Sequence, residues 1–514
     1  MSANHAFFGD KLRFFFKIDY LLAPAFNVVK FEGTEAISKL FRFEIILVSN
    51  NGAVDLEDML HHPATLTVNS NDGGLGVPYH GILSEFEQLG QTSDLFYYRA
   101  VLVPTVWRLS LTKLNDIFTD ESTDPQIIQA VLSRNSLAFK DAQMNLNPLN
   151  LSAYRPRSFV CQYQESDLGF ISRLMEHNGL YYYFEHALIK GAYRDKLVIT
   201  DYKESHPILP LILRYTAPAD LPHANIDQCI TSFTARQNPL PQKVVVQDFN
   251  YRKAGLSIEA EASVSLRGHG EVLFEGLNLR TQSEAQHFAQ IRAQEIACHS
   301  KVFTGQATAA GVRSGHMIVL TNHFRLDMNG AYLVTEVRHH GTQAALVLEG
   351  QTTEYIQDGE SGTLYTCSFK CIPATTQFRP ERLTPRPIIH GTKSAIIDGE
   401  GFGQKAEIDK FGQYKVQLTF DRKDRFANKG SAWVRMMSPY VGDGHGMRFN
   451  LLKGTEVQLA FVNGDPDQPI IVGAVSNSEQ KNVTSNATAD VHGMLAPSGS
   501  SISMVEKPGA QSLN

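Results

Sequence analysis

Two histidine doublets, His61–His62 and His339–His340, are the first places in this 514-residue chain where metal or acid–base chemistry could sit. Adjacent residues on a strand point to opposite faces, so neither doublet can aim two imidazoles at one ion. Both are expected at the surface or partly buried. Cys367 and Cys371 form a C-x3-C pair, half of what a structural zinc needs, and no second pair of suitable spacing follows. Ordinary buried thiols are the better reading. Gly399, Gly401 and Gly403 crowd together, but no helix follows to offer a phosphate its N-terminus, which makes the run a turn. No G-x-S-x-G elbow, H-E-x-x-H or Walker loop occurs, and the carboxylates are dispersed. These residues point to no catalytic, metal or cofactor site, and to a protein that is not an enzyme.

The framework that would position any site is mainly β. Phe41, Phe43, Ile45 and Leu47 fall on one strand face, with Arg42 and Glu44 opposite, and the pattern continues through Leu66, Val68 and Tyr97 onward to residue 106. Three helices interrupt it. Asp124 can cap the first, with Pro125 at its start and Ile127, Ile128, Val131 and Leu132 as its stripe. Ser166 caps the second, Phe170, Ile171, Leu174 and Met175 form its face, and Gly179 ends it before the aromatic strand 180–184. The third runs from about Ser283 to His299, and its Ala285, Phe288, Ala289, Ala293, Ile296 and Ala297 should lie on a sheet. Pro373, Pro380, Pro385 and Pro387 mark a stiff linker.

Beyond the linker, Tyr414, Val416, Leu418 and Phe420 alternate, as do Val457, Leu459 and Phe461. With 433–436 and 470–475 they make the short strands of a small closed barrel, one of whose loops is the reversal at Asn463-Gly464-Asp465-Pro466. Residues 477–514 contain no Phe, Tyr or Trp and cannot bury enough apolar surface alone. They are either a disordered tail or a strand segment that folds by wrapping around copies of itself.

A hydrophobic content of 43%, a charged content of 19% and a net charge of −6 describe an ordinary globular chain without the basic balance that nucleic acid demands. Nucleic acid is therefore not an expected partner. Five scattered cysteines suggest a reducing compartment. Lys17 and Asp19 break the apolar stretch 14–29, so no signal peptide is expected, and no run reaches the ~20 apolar residues of a membrane span. Synthesis in the cytoplasm, with export by a route other than a cleaved leader, follows.

Four stretches carry a resemblance. The run Phe159-Val-Cys-Gln-Tyr-Gln-Glu-Ser-Asp-Leu-Gly-Phe-Ile-Ser-Arg-Leu-Met-Glu-His-Asn-Gly-Leu-Tyr-Tyr-Tyr-Phe184 resembles the central signature of VgrG-type spike proteins of type VI secretion systems. Gly464-Asp-Pro-Asp-Gln-Pro-Ile-Ile-Val-Gly473 resembles their barrel motif. Ser38-Lys-Leu-Phe-Arg-Phe43 is similar to an amino-terminal element, and Cys371-Ile-Pro373 through Arg382-Leu-Thr-Pro-Arg-Pro387 to the linker. Where the family usually has Trp-Gly and Pro-Arg-x-Gly, this chain has His445-Gly446 and Leu451-Leu452-Lys453-Gly454.

The resemblance implies multidomain β architecture like a phage tail hub, with a few packing helices, an OB-type barrel and the start of a trimeric β needle. Its expected segments are a first hub β domain at 1–155 and a hub α+β subdomain at 156–240 holding the signature helix 166–178. A second hub β domain at 241–372, the linker at 373–389, the OB-like barrel at 390–476 and the needle start at 477–514 follow. The implied function is the structural spike of a contractile injection machine. A homotrimer would adapt a hexameric Hcp-type tube to a needle with a PAAR-type tip, bind baseplate components and effectors, and puncture target membranes. The protein would be cytoplasmic when assembled and then injected out of the cell. The chain stops where the needle should begin, so it is expected to be a shortened or naturally short member without a carboxy-terminal effector domain. A phage-tail or extracellular injection hub is the alternative, and a glycan-active β protein a weaker one.

Overall fold

The computed structural model describes residues 12–19, 25–69, 76–92, 94–119, 121–137, 141–189, 192–217, 229–348, 364–400, 404–423 and 429–513. Gly401, Gly403, Asn514 and part of the apolar stretch 14–29 lie outside them. The chain folds into two units. One gathers the residues up to Lys113, Thr123–Arg155 and Ser166–Pro385; the other gathers Leu114–Ser122, Pro156–Glu165 and the chain from Arg386 onward. Residues 114–122 and 156–165 therefore fold with the barrel rather than with the hub segments that flank them in sequence.

The first unit is built on a twelve-stranded sheet that divides into two sets of six. In spatial order the first set is Phe14–Ile18, Pro63–Val68, Val77–Thr92, Leu95–Val103, Arg42–Ser49 and Asn27–Ala36. The second is Gly330–Thr342, Met317–Thr321, Leu211–Tyr215, Cys229–Gln237, Lys301–Ala307 and Leu364–Pro373. Leu364–Pro373 returns to pair with Gly330–Thr342, which closes this second set into a barrel. The seam between the sets is antiparallel, with Arg338 opposite Thr34 and His340 opposite Glu32.

A side chain bridges the open edge of the first set. The buried amide of Gln343 accepts the backbone N–H of Arg13 and Phe14 and donates to the carbonyls of Phe14 and Val28. It thus ties Phe14–Ile18 to Asn27–Ala36 where no ladder joins them, satisfying backbone groups that would otherwise be orphaned in the core. Inside, Phe43, Ile45 and Leu47 are fully buried, as their alternation requires.

Among the described residues the α-helices that serve the sheets are α1 (Leu56–Leu60), α2 (Asp124–Arg134), α3 (Asp167–Asn178), α4 (Gln282–Ala297) and α5 (Ala344–Val347). The cap of α2 is Thr123, one residue before the expected Asp124, because its hydroxyl accepts the Gln126 N–H while the Gln126 side chain returns to the Thr123 backbone. Helix α3 starts at Ser166 and ends at Gly179 in the left-handed conformation, as its sequence predicts. Helix α4 lies on a separate three-stranded sheet, with Ala285, Ala289 and Ala293 against Val244, Val246 and Ile258.

In the second unit, Val416–Leu418, Lys393–Ile397, Glu456–Phe461, Pro469–Ala474 and Arg435–Met436 form one sheet. The mutual backbone bonds of Tyr414 and Val434 join its two ends, so the barrel closes. Its core includes Ile117, Cys161 and Tyr163, supplied by the two-stranded ribbon of Lys113–Phe118 and Val160–Ser166, and Phe159 just before the second strand. Beyond the barrel, Val491–Leu495, Ser501–Lys507 and Ala510–Leu513 make a three-stranded meander. Met494, Leu495, Ile502, Met504 and Leu513 are about half exposed or more, so this sheet has no core of its own.

Candidate functional site

The proline-rich stretch is a strap held at both ends. Arg379, buried, donates to the Gly179 carbonyl (2.8 Å) and to Gln294 (2.8 Å). Thr384 meets both carboxylate oxygens of Glu176 through its N–H (2.9 Å) and hydroxyl (2.7 Å). Arg292, also buried, donates to the Glu176 (2.9 Å) and His177 (2.6 Å) carbonyls and pairs with Glu295. Two guanidinium groups thus cover carbonyls at the negative end of α3. Burial pulls the Arg292 pKa down to about 10, which leaves it charged at neutral pH.

Helices α2 and α3 lock head to tail. Asp167, at the start of α3, takes Arg134 and Asn135 from the end of α2, and Asn178 at the end of α3 donates to Asp124 at the start of α2 (2.7 Å). Each aspartate also stands at a positive helix terminus, so one carboxylate serves its own helix and its neighbour.

In the second unit three of the four family-like motifs converge. Asp467, from Gly464–Gly473, accepts the backbone N–H of Cys161 (2.7 Å) and pairs with Arg157 (2.8 Å) and Arg386 (3.2 Å). Cys161 belongs to the signature run and Arg386 to the linker motif. Asp465 also pairs with Arg386 (2.6 Å), accepts the Asp467 N–H (3.0 Å) and binds the Gln468 amide (2.7 Å). Burial and the Asp467 charge push the Asp465 carboxyl up, against the pull of Arg386. The fourth motif meets the signature run in the first unit. There Ser38 donates its N–H to the Tyr182 carbonyl (2.8 Å) and Phe41 packs edge-on against Phe184 (5.2 Å). The signature residues are packing and hydrogen-bonding devices.

The residues singled out for chemistry are not brought together. His61 ends α1 and His62 faces Asp58 at 3.5 Å. His339 and His340 do point to opposite faces, but His339 is fully buried rather than at the surface. It bridges Glu35 (3.0 Å) and the Tyr365 hydroxyl (2.8 Å), and Ser314 donates to the other Glu35 oxygen (3.2 Å). Its face of the strand lines the hub interior, where a buried imidazole persists because both its nitrogens are bonded. Cys367 and Cys371 are buried thiols on one strand, and burial pushes Cys367 up to about 12. Among the described residues no group of three or more His, Cys, Asp or Glu is arranged to hold a metal. Gly399 lies just past the strand Lys393–Ile397 in no regular element, and the bend falls on Glu400.

A groove of about 690 Å³ crosses the seam, lined by Glu32, Thr34, Gln306, Arg338, His340 and Ser368 among others. Among the described residues no Phe, Tyr or Trp lines it, and its Glu336 is tied to Lys370 (2.8 Å) and Arg338 (3.3 Å).

Residues 34–345 match the family model of the phage tail baseplate hub (GPD), and residues 405–475 match the type VI secretion system/phage-baseplate injector OB domain. The chain is 30% identical to the type VI secretion system spike protein VgrG1a of Pseudomonas aeruginosa, over 97% of this chain and 76% of that protein. It belongs to the VgrG spike family of baseplate hubs. A second spike protein of that organism, VgrG1c, is 30% identical over 90% of this chain but only 61% of its own length, so the chain spans between half and three quarters of several curated relatives. The actin cross-linking toxin VgrG1 of Vibrio cholerae is 28% identical, with 38% of it covered. Among solved structures, an E. coli type VI component described as similar to the phage T4 tail proteins gp27 and gp5 superposes with a TM-score of 0.62 at 24% identity. That match covers 90% of this chain and 99% of the other. A chain of the Francisella PdpA–VgrG complex gives 0.65 at 10% identity, over 98% of this chain and 84% of that one. Both likenesses concern the fold. The closed small barrel, the hub-like β unit and the spike-family membership are those implied by the four motifs.

Proposed function

We propose that this spike-family chain is the structural spike of a type VI contractile injection machine and works as a homotrimer without catalysis. The observation that carries this is the division of the hub sheet into two six-stranded sets. Three chains then present six such sets to a hexameric Hcp-type tube, so internal duplication resolves the mismatch between sixfold tube and threefold needle. The coreless meander 491–513 supports the same assembly, since copies wrapped about a common axis would bury its apolar side chains and exposed edges. A PAAR-type tip, baseplate components and effectors are the further partners of this reading, and export follows assembly in the cytoplasm when the sheath drives the spike through a target envelope.

The phage-tail hub reading shares the ring and the needle and is favoured by the baseplate-hub model match; it differs in the tube protein bound. Electron micrographs and native mass spectrometry test the proposal. Threefold particles that sit end-on on Hcp-type rings are expected. A solitary chain at micromolar concentration, or binding to a phage tube protein alone, overturns it.

A further inference from the structure

Residues 437–450 of the barrel unit are exposed without exception, and among them Met437, Tyr440, Val441, Met447 and Phe449 are each more than half exposed. They form a ribbon, with Val441–Gly442 paired to His445–Gly446 across an Asp443-Gly444 turn and Met447 N–H bonded to the Tyr440 carbonyl (3.0 Å). Five large apolar side chains in fourteen residues of free ribbon make the contiguous patch that marks an interaction surface.

The root of the ribbon indicates its partner. Arg435–Met436 pairs in parallel with Pro469–Ala474, and Met437 N–H bonds to the Ile471 carbonyl (2.8 Å). Parallel strands release the chain at the same end, so the ribbon and the segment leading to the meander leave the barrel together. Val472 and Val475 at the end of the strand Pro469–Ala474, Val483 in the connecting segment and Val491 at the start of the meander are exposed as well. A cyclic assembly needs two different, complementary patches on every chain, one facing each neighbour. The aromatic and methionine ribbon and the exposed valines of the exit path, which begin where the ribbon leaves the barrel, can serve as such a pair.

We infer that the ribbon 437–450 is a clasp that docks on the exposed valines of the exit path, Val472 to Val483, of a second copy of this chain, three such contacts closing the ring at the root of the needle. The inference rests on the trimeric reading above and adds to it the contact that holds the copies together. The test uses the full chain carrying V441C and V483C, both exposed positions, with a short bismaleimide; the five native cysteines are buried. Covalent dimers and trimers on a denaturing gel, absent from either single variant, together with slowed amide exchange at 437–450, are expected. If light scattering finds a trimer but the gel shows only monomer or intrachain adducts, and the ribbon exchanges freely, the clasp is overturned while the trimer stands, leaving the ribbon to another protein. A chain that stays monomeric overturns both.

Discussion

Gly179 closes α3 with φ +68°, and a methyl group there would stand 2.7 Å from Ile291 Cγ2 and 3.1 Å from Arg379 Cδ. Gly412 has a similar φ of +73° with nothing within 4 Å of its missing Cβ. The pair separates backbone strain from crowding. G412A should cost about 1 kcal/mol, the left-handed penalty alone, whereas G179A should cost about 3 kcal/mol, since Ile291 and Arg379 belong to packed elements and cannot retreat freely. Denaturant midpoints of the two variants measure the difference. Asp467 offers a second test at this scale. Its side chain is nearly inaccessible, and D467N would leave Arg157 and Arg386 without their shared counter-charge. The loss should be on the order of 3 kcal/mol, while R386Q, at a half-exposed position, should lose about 1 kcal/mol. The chain's two tryptophans, Trp107 in the hub and Trp433 in the barrel, allow a W107F background to report the barrel by itself.

At the scale of elements, α3 depends on charges brought from far along the chain. R292M keeps the apolar stem but strips the Glu176 and His177 carbonyls of their donor and leaves Glu295 without its arginine. A loss of about 3 kcal/mol in the hub is expected, with amide exchange quickening first at the carboxy-terminal turn of α3; unchanged protection there would remove the clamp from the account. That clamp marks the boundary of what the sequence discloses. Ser166 and Gly179 could be read as caps because capping is settled within four residues, and the strand alternation at Phe43, Ile45 and Leu47 is equally local. The seam joins Asn27–Ala36 to Gly330–Thr342 across three hundred residues, and no local pattern names that partner. For the same reason residues 113–118 fall inside the expected first hub domain 1–155, yet Ile117 belongs to the barrel core. The doublet rule placed His339 and His340 on opposite faces but could not say which face lines the interior. The family-like motifs were readable one by one; that Asp467 bonds to Cys161 and Arg386 was not, because a hydrogen bond between distant segments leaves no spacing to detect.

For the whole molecule, the hub interior is unusual in the number of imidazoles it keeps neutral. His206 donates from Nδ1 to the Gly315 carbonyl and meets the Tyr181 hydroxyl at Nε2, and burial pulls its pKa down to about 4. His80, His186 and His316 are also lowered, chiefly by burial, with the half-buried Arg313 charge adding to the effect on the last two. His186, partly exposed as a residue, has its Nε2 shut off from water, and its Nδ1 accepts the His80 N–H, a bond that protonation would destroy. In the unfolded chain these rings take protons near pH 6.5, whereas the folded hub resists until lower pH. Between those limits the unfolded state binds more protons, so stability is intact above the unfolded value and falls as the pH drops through the window from about 6.5 toward 4. Asp195 and Glu295 work in the opposite sense, because burial raises both carboxyls, Asp195 to about 6, and acid therefore relieves them, but more imidazoles oppose them, His287 being lowered by burial as well. The hub should lose stability on acidification by up to about 1.4 kcal/mol per pH unit for each ring still neutral in the fold. Thermal unfolding followed through Trp107 at pH 7.5, 6 and 5 should show the decline. H186Q, which keeps an acceptor for the His80 N–H but cannot titrate, should start lower at pH 7.5 and fall less steeply; a slope equal to that of the parent chain would assign the acid sensitivity elsewhere.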